Sequence, residues 1–186
     1  MKKIHVVVAP IIFGVCGVAS ASGVYIGADL ALGNKTALET QGASFDETNE
    51  VGLGALAGYN FTITPMFDLG VEAEYRTIGE ADFNIDDNKF QSSGSFYGVN
   101  LRPKYTLSTG AFAAAVIGVG QMEMKLSHNS TSETNSGTAY QLGVEGGYAF
   151  DSGVDLVIGY RFTEASDIEG IEFGVSGIYG GARYNF

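Results

Sequence analysis

Long apolar runs are nearly missing from this sequence of 186 residues. After residue 21 the longest run, Ala111 to Gly120, has only ten residues, whereas a helix that crosses a bilayer needs about 20. A transmembrane helix is therefore excluded from residues 22–186. The N-terminal run, Ile4 to Val18, also falls short of that length.

The N-terminus has the three parts of a secretory signal peptide. Lys2 and Lys3 supply the positive charge, the apolar run follows, and Ala19-Ser20-Ala21 has the small-x-small pattern that signal peptidase cleaves. We therefore predict a signal peptide over residues 1–21 and a mature domain over residues 22–186.

Cysteine is almost absent, because Cys16 is the single residue of that type in the sequence. A lipoprotein is the alternative that it raises, but the preceding Val15 is branched where a lipobox has a small residue. We expect Cys16 to leave with the signal peptide. The mature chain would then contain no disulfide, although the secretory route permits one.

Basic residues are also scarce. The formal net charge is −11, and removal of Lys2 and Lys3 with the signal peptide makes it −13. Such a charge disfavours nucleic acid and anionic surfaces as partners and favours cations or basic partners. A disordered acidic chain is excluded, because the sequence contains 12 Phe and 10 Tyr.

Alternation of apolar and polar residues is what the sequence has in abundance. In Met66 to Arg76, apolar side chains occupy every second position, and charged residues and glycine lie between them. This period of two is typical of a strand with one apolar face. The same pattern, in places weaker, recurs in seven other segments: Val24–Gly33, Val51–Phe61, Ser95–Tyr105, Ala111–Met124, Tyr140–Phe150, Val154–Phe162 and Phe173–Phe186.

Most of these segments are longer than the strands of soluble sheets, which average about 5 to 6 residues. A tilted strand that crosses a membrane needs about 9 to 11. Only helices and closed barrels satisfy their backbone groups within lipid. We therefore predict an all-β fold, an eight-stranded antiparallel up-and-down transmembrane β-barrel. A soluble lipocalin-like barrel, with its apolar face inside, is the alternative.

Aromatic residues mark one end of the predicted strands. Three strands end in a tyrosine and a phenylalanine two residues apart, and a fourth ends near Tyr105. Aromatic rings at such positions form a girdle where lipid meets headgroups. The predicted girdle consists of Tyr59, Phe61, Tyr105, Tyr148, Phe150, Tyr184 and Phe186.

The predicted connections alternate between short and long. Short turns follow the strands that end in the girdle, at 62–65, 108–110 and 151–153, and we predict longer polar loops at 34–50, 77–94, 125–138 and 163–172. Outer-membrane barrels place their short turns in the periplasm. An even number of strands then puts both mature termini there.

Two segments fit the pattern less well. Pro103 lies within a predicted strand and removes a ladder donor, so we expect a bulge there or the approach of the strand end. The strand from Ala111 to Met124 is almost wholly apolar, and we assign Gly118 and Gly120 to its inner face by analogy with the other strands.

The opening Val24-Tyr25-Ile26-Gly27-Ala28-Asp29, the Gly-Tyr-x-Phe strand ends and the terminal Tyr184-Asn185-Phe186 resemble the small outer-membrane barrels of the OmpA/OmpX-like and opacity-type family. The resemblance covers the whole mature chain. It implies contact with outer-membrane lipid and lipopolysaccharide, and recognition of the C-terminal aromatics by the barrel-assembly machinery. Family members act as adhesins, resistance factors, weak pores or structural proteins, which implies a host or matrix ligand at the loops.

Charged residues are predicted to line the interior. A lumen of eight strands is essentially filled by side chains, and charges buried there require partners. Because the strand of Glu72 and Glu74 is hairpinned to that of Arg102 and Lys104, we expect pairs between them. The network acts as a structural plug or, alternatively, as a gate. Its predicted members are Asp29, Glu72, Glu74, Arg76, Arg102, Lys104, Glu145, Arg161 and Arg183.

Catalytic and metal sites have little support. His128 is the one histidine of the mature chain, and it lies with Ser127, Ser130 and Glu133 in a Ser/Thr/Asn-rich stretch that offers no rigid support. Asp82 to Asn88 resembles the start of a calcium loop but lacks the glycine and glutamate that complete one. We expect no cofactor and no specific metal site, although Mg²⁺ or Ca²⁺ could bridge acidic loops to lipopolysaccharide phosphates.

Three functions therefore stay open. The first is a non-enzymatic barrel that presents acidic loops for structural or adhesive contact. The second is a small porin-like gated pore. The third, and most distant, is an enzyme that modifies lipids of the outer leaflet.

Overall fold

The computed structural model describes residues 22–40, 43–48, 51–85, 88–128, 131–168 and 171–186. The predicted signal peptide, residues 1–21, lies outside them. Within this described part no helix is long and apolar enough to cross a membrane. The nine strands are β1 (Gly23–Thr40), β2 (Ala43–Thr48), β3 (Gly52–Thr64), β4 (Phe67–Ile85), β5 (Asn88–Thr106), β6 (Ala111–His128), β7 (Thr131–Ala149), β8 (Val154–Ile168) and β9 (Ile171–Asn185).

The strands form one antiparallel sheet that closes on itself. Each strand from β3 to β9 pairs with the next, and β1 pairs with both β3 and β9. Lys35 of β1 has Thr48 of β2 on one side and Ser176 of β9 on the other. Because β3 also lies on the side of β1 opposite β9, β2 and β3 are two segments of one barrel strand. The predicted eight-stranded barrel is confirmed.

Short turns connect the strands at one end of the barrel. They join β3 to β4, β5 to β6 and β7 to β8, as the sequence predicts. Gly110 and Gly153 have φ angles of 90° and 83°, in the left-handed region that glycine enters without steric strain. Their backbones also close the turns, since Gly110 N–H donates to Leu107 O and Gly153 N–H donates to Phe150 O.

The predicted long loops are wrong over most of their length. The segment 77–94 belongs to β4 and β5 except for residues 86–87, and the segments 34–50, 125–138 and 163–172 are likewise mainly strand. Backbone pairing continues out of the lipid, because it does not depend on side-chain polarity. The point at which the apolar alternation stops therefore marks where the strands leave the hydrocarbon layer of the membrane. It does not mark where the strands end.

Apolar side chains face outward and charged ones inward. Ile158 is 64% exposed on the outer face, whereas Arg102 is 1% exposed in the lumen. This arrangement contradicts the lipocalin-like alternative, whose apolar face is inside. On β6, Ile117 and Val119 face outward. A Cβ built on Gly120 would lie 2.8 Å from the Phe96 ring inside the barrel, so the inward assignment of Gly118 and Gly120 is confirmed.

The bulge expected at Pro103 is not present. Pro103 lies opposite Leu69 of β4 within an unbroken register. Towards β6, the register is the same before and after it, because Leu101 lies opposite Ile117 and Lys104 opposite Ala114. The missing proline donor therefore interrupts the pairing with β6 only locally. The alternative expectation, an approaching strand end, is confirmed, because β5 ends three residues later at Thr106.

Candidate functional site

Among the side chains that the structure describes, ten buried charges lie in the interior of the barrel, five acidic and five basic. The structure places all nine predicted residues there and adds Asp155, which shares the inner face of β8 with Arg161. Equal numbers of the two signs remove the cost of a net charge buried in a narrow lumen. The ten are Asp29, Glu72, Glu74, Glu145, Asp155, Arg76, Arg102, Lys104, Arg161 and Arg183.

The centre of the network is a ring of two acids and two bases. Arg102 Nε lies 2.6 Å from Glu145 Oε2 and 3.8 Å from Glu72 Oε1. Arg183 Nη2 lies 2.7 Å from Glu145 Oε1, and its Nε lies 3.3 Å from Glu72 Oε1. Each carboxylate therefore contacts both guanidinium groups, which is the geometry that offsets the desolvation of buried charges.

Two buried tyrosines complete this ring, and the sequence does not single them out. Tyr25 Oη donates to Glu72 at 2.9 Å, and Tyr179 Oη donates to Glu145 at 2.7 Å. Aromatic residues of barrel strands usually face the lipid. The signal that could have found them is strand parity, because Tyr25 lies four residues before the inward Asp29.

A second layer centres on Glu74. It lies on the side of the ring away from the short turns, which we call the long-hairpin side. Arg161 Nη1 lies 2.5 Å from Glu74 Oε1, and Arg76 Nη1 lies 3.8 Å from the same oxygen. Asn100 and Gln141 donate to Glu74 Oε2 at 2.6 and 2.9 Å. Glu74 is thus held by two cations and two amides, of which the amides are not predicted from the sequence.

A third group lies at the short-turn end. Lys104 Nζ is 3.3 Å from Asp155 Oδ2 and 3.7 Å from Asp68 Oδ2. The expected pairing between neighbouring strands therefore holds for Glu72 and Arg102, whereas Lys104 contacts these two aspartates instead of Glu74.

Aromatic faces cover several of the cations. The guanidinium of Arg161 lies 3.9 Å from the ring centre of Tyr179, and that of Arg76 lies 4.9 Å from Phe96. Phe96 also belongs to an apolar layer inside the barrel, above the charges on the long-hairpin side. This apolar layer consists of Ile78, Phe96, Met122, Met124, Ala139, Ala165 and Val175.

Little free volume is left within the lumen. Between the Glu74 layer and the apolar layer, Arg76, Arg161 and Tyr179 line a cavity of about 10 Å³. A space of that size holds at most about one water molecule. Two groups of described side chains, the paired charges and the apolar layer, therefore each close the interior of the barrel.

The predicted girdle residues gather at the short-turn end. Ring centres are 4.8 Å apart for Tyr59 and Phe61, and 5.0 Å apart for Tyr184 and Phe186. Tyr148 and Phe150 form a third such pair, while Tyr105 donates to Met66 Sδ at 3.3 Å. Sequence reasoning missed a second set of exposed aromatics at the opposite edge of the apolar band: Tyr75, Tyr97 and Tyr140.

The side chains proposed for catalysis and for calcium binding lie outside what the structure describes. His128 ends β6 opposite Thr131, but the placement of its imidazole is not among the described features. The same holds for the side chains of Asp82 to Asn88. Among the side chains that are described, no three of the His, Cys, Asp or Glu type gather as a metal site.

Solved structures with the same fold come from several bacteria. The chain is 14% identical to Neisserial surface protein A, with a TM-score of 0.66 over 90% of this chain and 98% of that one. It is 16% identical to Ail, the attachment invasion locus protein of Yersinia pestis, with a TM-score of 0.52 over 88% and 97%. The outer membrane protease OmpT of Escherichia coli matches at 10% identity and 0.51, over 88% and 79%. At these identities the likeness shows the fold.

Comparison with curated protein sequences finds no significant match. The family model described as the outer membrane protein beta-barrel domain matches residues 12–186. This match covers the whole barrel, and it confirms both the resemblance seen in the sequence and the outer-membrane location. The chain belongs to the outer membrane protein beta-barrel domain family.

Proposed function

We propose that this barrel is non-enzymatic and presents its long hairpins at the cell surface for adhesive or structural contact. The observation that carries the proposal is the separation of charge. The lumen contains five acids and five bases, whereas the outer hairpins contain 14 acids and three bases. We define the outer hairpins as residues 33–52, 77–95, 121–138 and 163–177.

Strand length supports the same function. β4, β5 and β7 each have 19 residues, about twice the 9 to 11 that a tilted strand needs to cross the hydrocarbon layer. The surplus lies on the long-hairpin side. A barrel that only spans the membrane would not need this additional strand length. The additional part of the sheet therefore offers a surface for contact outside the lipid.

Orientation and partners follow from this function. The long hairpins face the outside, and the short turns and both mature termini face the periplasm. Acidic hairpins beside the phosphates of lipopolysaccharide would draw Mg²⁺ or Ca²⁺ between them. Ail, a barrel of the same fold, is an attachment invasion locus protein, which supports an adhesive role in which a host or matrix ligand binds the outer hairpins.

Cysteine labelling tests the orientation, because Cys16 is the only cysteine and lies in the predicted signal peptide. Asn88→Cys lies at the first residue of β5, where β5 follows β4, and Ser108→Cys lies in a short turn. On intact cells, a membrane-impermeant maleimide should label the first variant and spare the second until the cells are lysed. Labelling of Ser108→Cys alone would reverse the orientation and overturn the proposal.

Hairpin exchange tests the contact itself. Replacing residues 79–94 with an Asn-Gly turn shortens the β4–β5 hairpin while keeping the strands that cross the membrane. Adhesion of bacteria that produce this variant to host cells or matrix should fall, and its heat-modifiable migration in gels should be retained. Unchanged adhesion after trimming each of the outer hairpins would contradict an adhesive role.

A gated pore is the second candidate. The observation that favours it is that paired side chains block the lumen and can exchange partners, whereas none of the described segments is inserted into it. A lipid-modifying enzyme is a more distant candidate. An altered lipid A profile in cells that overproduce the protein would support it, and an unchanged profile would contradict it.

A further inference from the structure

The outer wall of the barrel has an open groove on the face that meets lipid. The groove has a volume of about 430 Å³ and is lined by residues of β6, β7 and β8. Its outward side chains form two rows across these strands, in which the residues lie opposite one another in register. The rows are Ile117, Leu142 and Phe162, and Ala115, Val144 and Tyr160. We call this depression the outer-wall groove.

Small residues leave the room for this groove. Ala115 is the one alanine in the two rows, and beside it, towards the short turns, Ala113 lies opposite Gly146. The nearest atom to a Cβ built on Gly146 would be Phe112 O, 3.9 Å away, so the outer face is open at this point as well. The open path from Ile117 to Ala113 along β6 is about 13 Å long.

The outer-wall groove lies in the half of the apolar band that is nearer the long-hairpin side. On β7, Tyr148 belongs to the girdle, and Tyr140 lies at the opposite edge of the band. Leu142 is two residues from Tyr140 and six from Tyr148, while Val144 is midway between the two tyrosines. With the short turns in the periplasm, this half of the band meets the outer leaflet, whose lipid is lipopolysaccharide.

An acyl chain is the occupant that this position favours. Water is excluded from the hydrocarbon layer, and an unfilled groove would leave its walls without dispersion contacts. The outer-wall groove is continuous with the lipid-facing surface around it, so lipid chains reach it directly. A path between protruding side chains suits an extended, saturated chain, as in lipopolysaccharide, better than a chain kinked by a double bond.

The hydroxyl of Tyr160 is the polar group of the groove. It makes no hydrogen bond with any residue that the structure describes. A hydroxyl in apolar surroundings is stabilised by a hydrogen-bond partner. The ester and hydroxyl oxygens near the head of a lipopolysaccharide acyl chain lie in the outer leaflet and would accept its proton.

We propose that the outer-wall groove is a binding site for one acyl chain of lipopolysaccharide. The chain packs along Ala115 between the larger side chains, and Tyr160 donates to one of its oxygens. Within a membrane the selectivity comes from van der Waals packing and this hydrogen bond, because all lipid chains are equally apolar. The inference rests on the proposed orientation of the barrel, which puts the groove in the outer leaflet.

Tryptophan fluorescence tests the site, because the sequence contains no tryptophan. Phe162→Trp places a single tryptophan in the groove, and Tyr75→Trp places one on β4, at the opposite wall. Each purified variant is placed in nanodiscs of phosphatidylcholine with brominated acyl chains, which quench tryptophan on contact, and lipopolysaccharide is added in steps. Quenching of Phe162→Trp should be relieved at about a tenfold lower fraction of lipopolysaccharide than quenching of Tyr75→Trp.

Further variants in the Phe162→Trp protein show whether the groove causes this preference. Ala115→Leu fills the groove and should abolish the tenfold difference. Ala73→Leu adds the same side chain to the outer face of β4 and should leave the difference unchanged. Tyr160→Phe keeps the ring but not the hydroxyl, so it should reduce the preference about threefold.

Three results would overturn the inference. Equal relief of quenching in Phe162→Trp and Tyr75→Trp would mean that the groove exchanges lipid like the rest of the wall. A preference that survives Ala115→Leu would place its cause elsewhere. Weak initial quenching of Phe162→Trp that strengthens when the protein is diluted in lipid would assign the groove to a second copy of the chain.

Failure of this test is distinct from failure of the proposed function. The preference for lipopolysaccharide is measured on purified protein and does not depend on which side of the membrane the hairpins face. The cysteine labelling described above measures orientation on intact cells and does not depend on the groove.

Discussion

Glu74 and Arg161 are 87 residues apart in the sequence, yet their Oε1 and Nη1 atoms lie 2.5 Å apart in the lumen. Glu74 is on β4 and Arg161 is on β8, which are four strands apart in either direction around the barrel. The pair therefore joins opposite walls. An eight-stranded barrel is narrow enough for two side chains to span it, and this geometry makes the interior a single connected network.

Replacing Glu74 with glutamine should destabilise the barrel. The change leaves Arg76 and Arg161 facing a neutral amide, and loss of one partner from a buried ionic group costs about 3 kcal/mol. The temperature at which the folded band converts to the unfolded band in detergent gels should fall. Glu123→Gln, on the exposed outer side of β6, is the matched control and should leave that temperature unchanged.

Replacing Gly58 with alanine should destabilise the barrel. A Cβ at this position would lie 2.6 Å from Tyr25 Cζ and 2.7 Å from Val71 O, so Tyr25 would have to move away from Glu72. Overpacking of this kind costs about 1 to 3 kcal/mol, which urea unfolding in lipid vesicles would measure. At Gly146 the nearest atom to a Cβ is Phe112 O at 3.9 Å, and equal losses for Gly146→Ala would contradict this explanation.

Lys104 and Asp155 should be energetically coupled. Both are buried and their charged atoms lie 3.3 Å apart. Lys104→Ala therefore removes the cation that faces Asp155, and Asp155→Ala leaves Lys104 with the more distant Asp68 at 3.7 Å. The double variant should therefore lose less stability than the two single variants together, with a coupling of roughly 1 to 3 kcal/mol. Asp151 lies exposed in a turn, and a comparable coupling between Lys104 and Asp151 would show that the effect is not specific to the contact.

The central part of each strand, and the face on which each of its side chains lies, could be predicted from the sequence. One face of each strand meets lipid and the other meets the lumen, and this contrast imposes a period of two. The ends of the strands were not predictable. Residues 79–85 and 88–94 are still paired in β4 and β5, although polarity no longer alternates there, because the lipid that imposes the alternation covers only the part of each strand that crosses the membrane.

The interior residues could be predicted, but most of their partners could not. Parity along β8 places Asp155 and Arg161 on the inner face. Which residue each one meets depends on the tilt and stagger of strands around the barrel, and no local pattern encodes these quantities. For that reason the pairing of Glu74 with Arg161 across the lumen is visible only in the structure.

A closed lumen should conduct poorly. The Glu72 carboxylate contacts Arg102 and Arg183, and the apolar layer lies above the network. We expect no stable channel openings in planar bilayers for the unmodified protein, because ions would have to lose hydration to pass both the paired charges and the apolar layer. Stable openings whose size changes in a Glu72→Gln variant would instead support the gated pore.

Phe186 should matter for assembly in cells more than for stability. Its backbone N–H donates to Val24 O at 3.0 Å, while its ring is 73% exposed on the outer face. Phe186→Ala keeps the backbone hydrogen bond and removes only the exposed ring. Loss of an exposed side chain changes stability by about 0.5 kcal/mol or less, so refolding into detergent should be almost unaffected.

If the barrel-assembly machinery recognises the C-terminal aromatics, as the resemblance seen in the sequence implies, the result in the cell should differ. The amount of Phe186→Ala protein in the outer membrane should fall several-fold, as membrane fractionation would measure. Phe150→Ala is the control, because Phe150 lies in the same girdle and makes an edge-on ring contact with Tyr148, as Phe186 does with Tyr184. If both variants reached the membrane in equally reduced amounts, the rings would act as lipid anchors. A deficit confined to Phe186→Ala is the result that only recognition of the chain terminus explains.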